Sequence, residues 1–176
     1  MKEEKTLPQA LNSIFMGYLL LHLHVNLGRL DILPDWAGYL ALLSALPALM
    51  KEEPSAALLK PLAAGLALWN GVTWVVKILG GSVDIPILPL VVSIVGLYFH
   101  FQFLTDVMIA AENHGLPQAP RIGQLRTWRT VITTAAALPL DWGEYLWVVS
   151  ALAIAALLVT AALCLELNAM RKALDP

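Results

Sequence analysis

Six apolar stretches, at roughly 8–26, 35–50, 56–79, 86–111, 122–138 and 142–170, take up most of this 176-residue chain and leave it few ways to fold. Each reads as a helix. A helix needs about 20 apolar residues to cross a bilayer, with a range of about 17 to 25. The first, third, fourth and sixth stretches meet that length; the second and fifth are short for it. Only 14% of the residues are charged and 59% are hydrophobic, whereas soluble domains carry about 25% charged residues. Mean hydropathy is +0.71. The expected class is all-α and transmembrane: one integral membrane domain over 1–176, built as a six-helix bundle.

The same composition argues against other classes. No room is left for a large soluble domain beside the apolar stretches. A net charge of −2 points to no nucleic-acid partner. Cys164 is the one cysteine, so neither an internal disulfide nor a Cys-rich metal site is expected. The N-terminal region carries Glu3 and Glu4 and has no small-residue cleavage site, so no removed signal peptide is read there.

Basic residues set the expected orientation. Lys2 and Lys5 precede the first stretch, and Lys51 and Lys60 follow the second. Arg121, Arg126 and Arg129 follow the fourth, and Arg171 and Lys172 close the sixth. Only Arg29 and Lys77 fall in the other connections, which instead collect Asp31, Asp35, Asp84, Asp141 and Glu144. The positive-inside rule then puts both termini in the cytoplasm and makes the number of crossings even; six fits.

An internal repeat organises the stretches further. "DWAGYLALLSAL" at 35–46 aligns without gaps on "DWGEYLWVVSAL" at 141–152, with seven of twelve residues identical. A weaker middle copy pairs "LGRLDILP" at 27–34 with "LGGSVDIP" at 79–86, and Pro34, Pro86 and Pro139 are spaced 52 and 53 apart. The reading is three tandem helical hairpins, roughly 8–50, 56–111 and 122–170. The recurring Asp, Pro and Trp have a structural explanation. Proline suits a helix start, Asp suits the N-cap and the positive helix end, and Trp suits the membrane interface. Asp31, Asp35, Asp84 and Asp141 are therefore expected as outer helix caps, or as an acidic mouth that attracts a cation or an amine-bearing solute.

No catalytic signature is present, and no catalytic residue, metal ligand or cofactor is assigned. His22 and His24 of "HLH" lie two apart, so on a helix they face different sides and do not readily grip one ion. Helical spacing yields better candidates. Tyr18, His22 and Asn26 are four apart and share a face; Asn70, Thr73 and Lys77 form a second stripe. His100 stands in the fourth stretch, with Gln102 and Asp106 further on. Polar groups inside a membrane are costly and mark cavities or solute paths, or else they bond one helix to another. Lys77 is the sharpest candidate, able to snorkel outward and pair with Asp31, Asp35 or Asp84. Trp69 and Trp74 flank Asn70 and suit a flat or cationic ligand, bulk packing or an interfacial belt. Arg126 and Arg129, three apart near a helix start, read as contacts for anionic lipid heads. Glu166 reads as a partner for Arg171 or a neighbouring base.

The run Asn26-x-Gly28-x-x-Asp31-Ile32-Leu33-Pro34-Asp35-x-x-Gly38-Tyr39-Leu40 resembles a stretch of uncharacterised small polytopic membrane proteins of Gram-positive bacteria. That resemblance covers about the first fifth of the chain. It implies the bacterial plasma membrane and no particular activity. In size and architecture the chain is also similar to the substrate-binding subunits of energy-coupling-factor vitamin transporters. Their first helix typically carries an Ala-x-x-x-Ala docking pattern, which "ALNSIFMGYLLL" lacks.

The leading functional expectation is a small-solute binding or transport module with a pocket in the outer half, lined by Tyr18, His22, Asn26, Asn70, Lys77 and His100. Without a nucleotide-binding part, active transport would need an energising partner or an ion gradient. The alternative is a structural or regulatory subunit that packs against another membrane protein or a second copy. An enzyme is not expected.

Overall fold

The computed structural model describes residues 5–22, 34–83, 85–138 and 143–175 in full, and the backbone alone at 26–27, 30–31 and 142. The protein is helical nearly throughout. Its elements are α1 (Leu7–His22), a two-residue pair β1 (Asn26–Leu27) and β2 (Leu30–Asp31), α2 (Asp35–Glu52), α3 (Leu59–Ile78), α4 (Leu88–Asn113), α5 (Ala119–Ala136) and α6 (Leu146–Leu174). Short 3-10 turns at Pro54–Leu58 and Trp142–Tyr145 lead into α3 and α6.

Local chemistry explains the helix ends. Prolines stand within the first two residues of α4 and α5, where a missing N–H costs nothing. Glu53 precedes the turn into α3, and its Oε1 accepts from the Ser55 backbone N–H at 3.1 Å. α3 and α4 end on glycines with positive φ, Gly80 at 80° and Gly115 at 64°. There Gly81 N–H donates to the Val76 carbonyl and Leu116 N–H to the Ala111 carbonyl, each at 2.9 Å. These six-residue closures satisfy carbonyls that the helix end would leave bare.

Two details depart from the sequence reading. The first stretch was expected to stay helical to residue 26, but α1 closes at His22 after 16 residues. At 1.5 Å per residue that is about 24 Å, short of a bilayer core of about 30 Å. Asn26 instead pairs with Asp31, and Leu27 with Leu30, antiparallel. Asn is a weak helix former and a good turn former, in keeping with Asn26 lying outside the helix. The aspartate caps also shift. Pro34 occupies the N-cap of α2, and Asp35 lies in its first turn, where its charge still suits the helix dipole. The matching Trp142–Tyr145 segment is a 3-10 turn, and α6 starts only at Leu146.

Three segments are long and apolar enough to cross a membrane: Pro54–Ile78, Leu88–Asn113 and Gly143–Leu174. They leave Leu68, Ile94, Trp147, Leu158 and Leu165 largely exposed. Apolar surface of that extent is compatible with a membrane location.

α1 packs on α2 and α6, α2 on α3, α4 on α3 and α5, and α5 on α6. Side-chain bonds tie several helix ends together at one end of the protein. Lys5 donates to Ser13 and Ser44, Arg171 to Asn12, and Asn113 to the Glu52 carbonyl. Arg121 also meets Glu166 at 3.0 Å, which makes a neighbouring base the partner of Glu166. The start of α1 and the end of α6 thus lie at this end. The core lies there too. In α3 no described residue beyond Ala67 is buried, in α4 none before Phe99, and in α6 none before Thr160. α3, α4 and α6 are thus buried in one half only, while α1 and α2 stay packed on each other in both.

α1 and α2 approach most closely at two glycines. A Cβ on Gly38 would lie 2.7 Å from Leu21 Cγ and 3.0 Å from the Gly17 carbonyl oxygen; one on Gly17 would meet Leu42 at 2.8 Å. Small residues at a crossing let the backbones touch. This close approach brings Tyr18 of α1 and Tyr39 of α2, both part of the core, to a common centre.

Candidate functional site

His100 of α4 is that centre. Its Nδ1 lies 3.3 Å from Tyr18 Oη and its Nε2 3.3 Å from Tyr39 Oη. Phe99 packs edge-on to the imidazole with ring centroids 5.3 Å apart. A neutral imidazole has one donor and one acceptor nitrogen, so it can donate to one tyrosine while accepting from the other. The three side chains form a short relay between α1, α4 and α2.

Arg129 of α5 completes the group. Its Nη1 lies 2.8 Å from His22 Nε2. A guanidinium only donates, so His22 Nε2 must accept and its proton must sit on Nδ1. That nitrogen faces the Tyr18 carbonyl at 3.0 Å and donates to it. The arginine thereby selects the histidine's neutral tautomer. The guanidinium carbon also stands 5.2 Å from the Tyr18 ring centroid, within cation–π range. Arg129 Nε is buried with no hydrogen-bond partner. Among the described residues no hydrogen bond or ion pair joins Arg129 to a carboxylate.

Arg129 is ten residues beyond the start of α5, about 15 Å along the axis. It is not at the helix start, where the spacing reading had it touching lipid heads. It points instead to the Tyr18 ring and His22. Arg126 likewise donates to Thr105 Oγ1 at 2.8 Å and stacks over Phe101.

Arg129, His100 and Tyr39 line a cavity of about 240 Å³ together with Asn70, Thr130 and Thr133. Asn70 donates to the Leu66 carbonyl, Thr130 to that of Arg126 and Thr133 to that of Arg129. Such back-bonding occupies the hydroxyl protons of Thr130 and Thr133 and one amide N–H of Asn70, and leaves the second Asn70 N–H without a partner on its own helix.

Of the residues picked out by sequence, Tyr18, His22, Asn70 and His100 come together here. Asn26 and Asp31 are placed only as paired backbone, away from the α1 stripe. Asp35 lies in the first turn of α2, about one turn from Tyr39. Asp84 and Asp141 lie outside the described residues. Lys77 is exposed in the last turn of α3 and does not line the cavity. It shares Asn70's face but stands seven residues, about 10 Å, further along. Trp74 packs edge-on against Trp36 in a different groove, between α2 and α3, and Trp69 lines a small recess beside α4.

Tyr39 and Arg129 were not among the residues expected to line the pocket. Arg129 had a visible signal: with Arg126 it is a charged residue in the interior of a helix, outside the first and last turns. Among the described residues no three His, Cys, Asp or Glu side chains converge on a metal-sized point. No family model, curated protein or solved structure matches the chain.

Proposed function

We propose that this chain is a multi-pass membrane protein that binds a small polar or charged solute in the cavity around Arg129. In this reading the six helices form a bundle of three tandem hairpins across the bacterial plasma membrane. Both termini are cytoplasmic, and the half in which α3, α4 and α6 are not buried faces outward. The observation that carries the proposal is Arg129 itself. A guanidinium held in an apolar protein by two neutral neighbours, beside a polar cavity, is expensive to maintain for packing alone. Helix contacts at repeat boundaries are where transporters tend to bind substrates, and this cavity is bounded by helices from all three hairpin units. The chain acts as a binding or translocating module, not an enzyme, and draws energy from a partner or a gradient if transport is active.

A second reading rests on a different feature. The groove between α2 and α3, about 600 Å³ and lined by Trp36, Leu40, Leu68 and Trp74, would suit the flank of another membrane protein. The chain would then be a structural or regulatory subunit.

Native mass spectrometry of the protein in mild detergent separates the two. A small co-purified mass, lost in Tyr39→Phe with Asn70→Leu, supports solute binding. Release of a second protein, with no small mass that is lost in this variant, contradicts it and supports the subunit reading.

A further inference from the structure

We infer that the ligand of the Arg129 cavity is an amphiphilic anion: a carboxylate or phosphate group on Arg129, with an apolar part running between α5 and α6. This rests on the solute-binding reading and names its ligand class.

Charge decides the polar end. The group that lines the cavity with fixed charge is a cation. Arginine stays protonated and matches acceptor-only oxygens. Its close neighbours are the acceptor nitrogen of His22 and the face of the Tyr18 ring, neither of which neutralises it. Nε remains buried without a partner. A cationic or amine-bearing ligand would be repelled here, and like charges a few ångströms apart interact strongly in a medium of low dielectric constant. An anionic group would relieve the same cost. Tyr39 adds a hydroxyl that can donate when His100 Nε2 donates to it.

Geometry decides the apolar end. Thr133 lines the Arg129 cavity and also a second one, of about 300 Å³. That second cavity is walled by Ile132 and Ala136 of α5 and by Val149, Leu152 and Ala156 of α6. These α6 positions continue, at helical spacing, the stripe that is buried lower down at Thr160, Leu163 and Leu167. Apart from Thr160, whose hydroxyl is spent on the Ala156 carbonyl at 2.9 Å, the stripe is apolar, so the space between α5 and α6 continues it. A ligand reaching past Thr133 would lay its hydrocarbon there.

The test uses the full chain in phosphatidylcholine nanodiscs, with empty discs as the partition control. Butanoate, hexanoate, octanoate and decanoate are titrated, beside octylamine and octanol. Saturable octanoate binding is expected above the empty-disc level, with about 4-fold tighter binding per added methylene until the groove is full. Arg129→Gln should weaken octanoate at least 10-fold, and octylamine should not bind. Ala156→Phe, which fills the groove and leaves Arg129 alone, should abolish the gain beyond hexanoate, so a misfolded Arg129→Gln does not decide the matter. Adding phosphatidylglycerol to the discs separates the sources: competition with octanoate identifies a lipid headgroup as the natural anion, and no competition identifies a free amphiphile. Octanol or octylamine binding as well as octanoate, or chain length having no effect in the wild type, overturns the inference. If a small mass co-purifies and proves neutral or cationic, only the ligand class fails. If nothing co-purifies and no anion binds, the solute-binding reading fails with it.

Discussion

Arg129 and His22, 107 residues apart, meet at 2.8 Å through Nη1 and Nε2, and this bond determines both the tautomer of the histidine and the position of the cation. His22→Ala should leave that donor without its acceptor and cost about 1–3 kcal/mol. Thermal unfolding in detergent should show the drop. His22→Gln, whose amide oxygen can accept, should recover part of it. Equal loss in both variants would mean that the contact contributes packing alone.

The glycines at the α1–α2 crossing give a stability prediction. Gly38→Ala puts a methyl against Leu21 and the Gly17 carbonyl, and overpacking of this kind costs about 1–3 kcal/mol. Gly65→Ala, with nothing within 4 Å of its Cβ, should be neutral or stabilise by up to about 1 kcal/mol. Parallel melts of the two variants check the close approach, and similar behaviour would refute it.

The three arginines of α5 should not behave alike. Arg121 pairs with Glu166 while its own side chain is 73% exposed, so Arg121→Gln should cost less than about 1 kcal/mol. Arg129→Gln should change ligand binding strongly. A binding measurement in which both variants behave alike would contradict the division between surface pair and site residue.

Tyr39→Phe removes one of the two hydroxyls bonded to His100 and keeps the ring packing. The expected stability loss is about 1 kcal/mol, with a larger relative effect on ligand binding because Tyr39 also lines the cavity. A stability loss with unaltered binding would make Tyr39 a strut.

Helix positions were legible because Pro, Gly and charge punctuate the apolar runs. The stretch read as 35–50 is α2 at Asp35–Glu52. The stretch read as 142–170 is α6 at Leu146–Leu174, after a 3-10 turn. Four site residues were legible from polarity at helical spacing. Spacing along one helix cannot say which neighbour it faces, and so Arg129 was read as a surface residue while His22, which it contacts, was read as pocket lining. Lys77 shows the converse limit: it lies on the cavity-facing side of α3, but two turns past the space that matters. The 35–40 and 141–146 segments share sequence yet start their helices differently, because the turn before α6 takes up residues that in α2 are already helical.

The central claim is that Arg129 holds a solute. Its most direct test compares native mass spectra of the wild type, Arg129→Gln and Lys77→Ala, purified alike in mild detergent. The account predicts a small bound mass in the wild type and in Lys77→Ala, and its loss in Arg129→Gln. A mass that persists in Arg129→Gln, or that disappears only in Lys77→Ala, would contradict it.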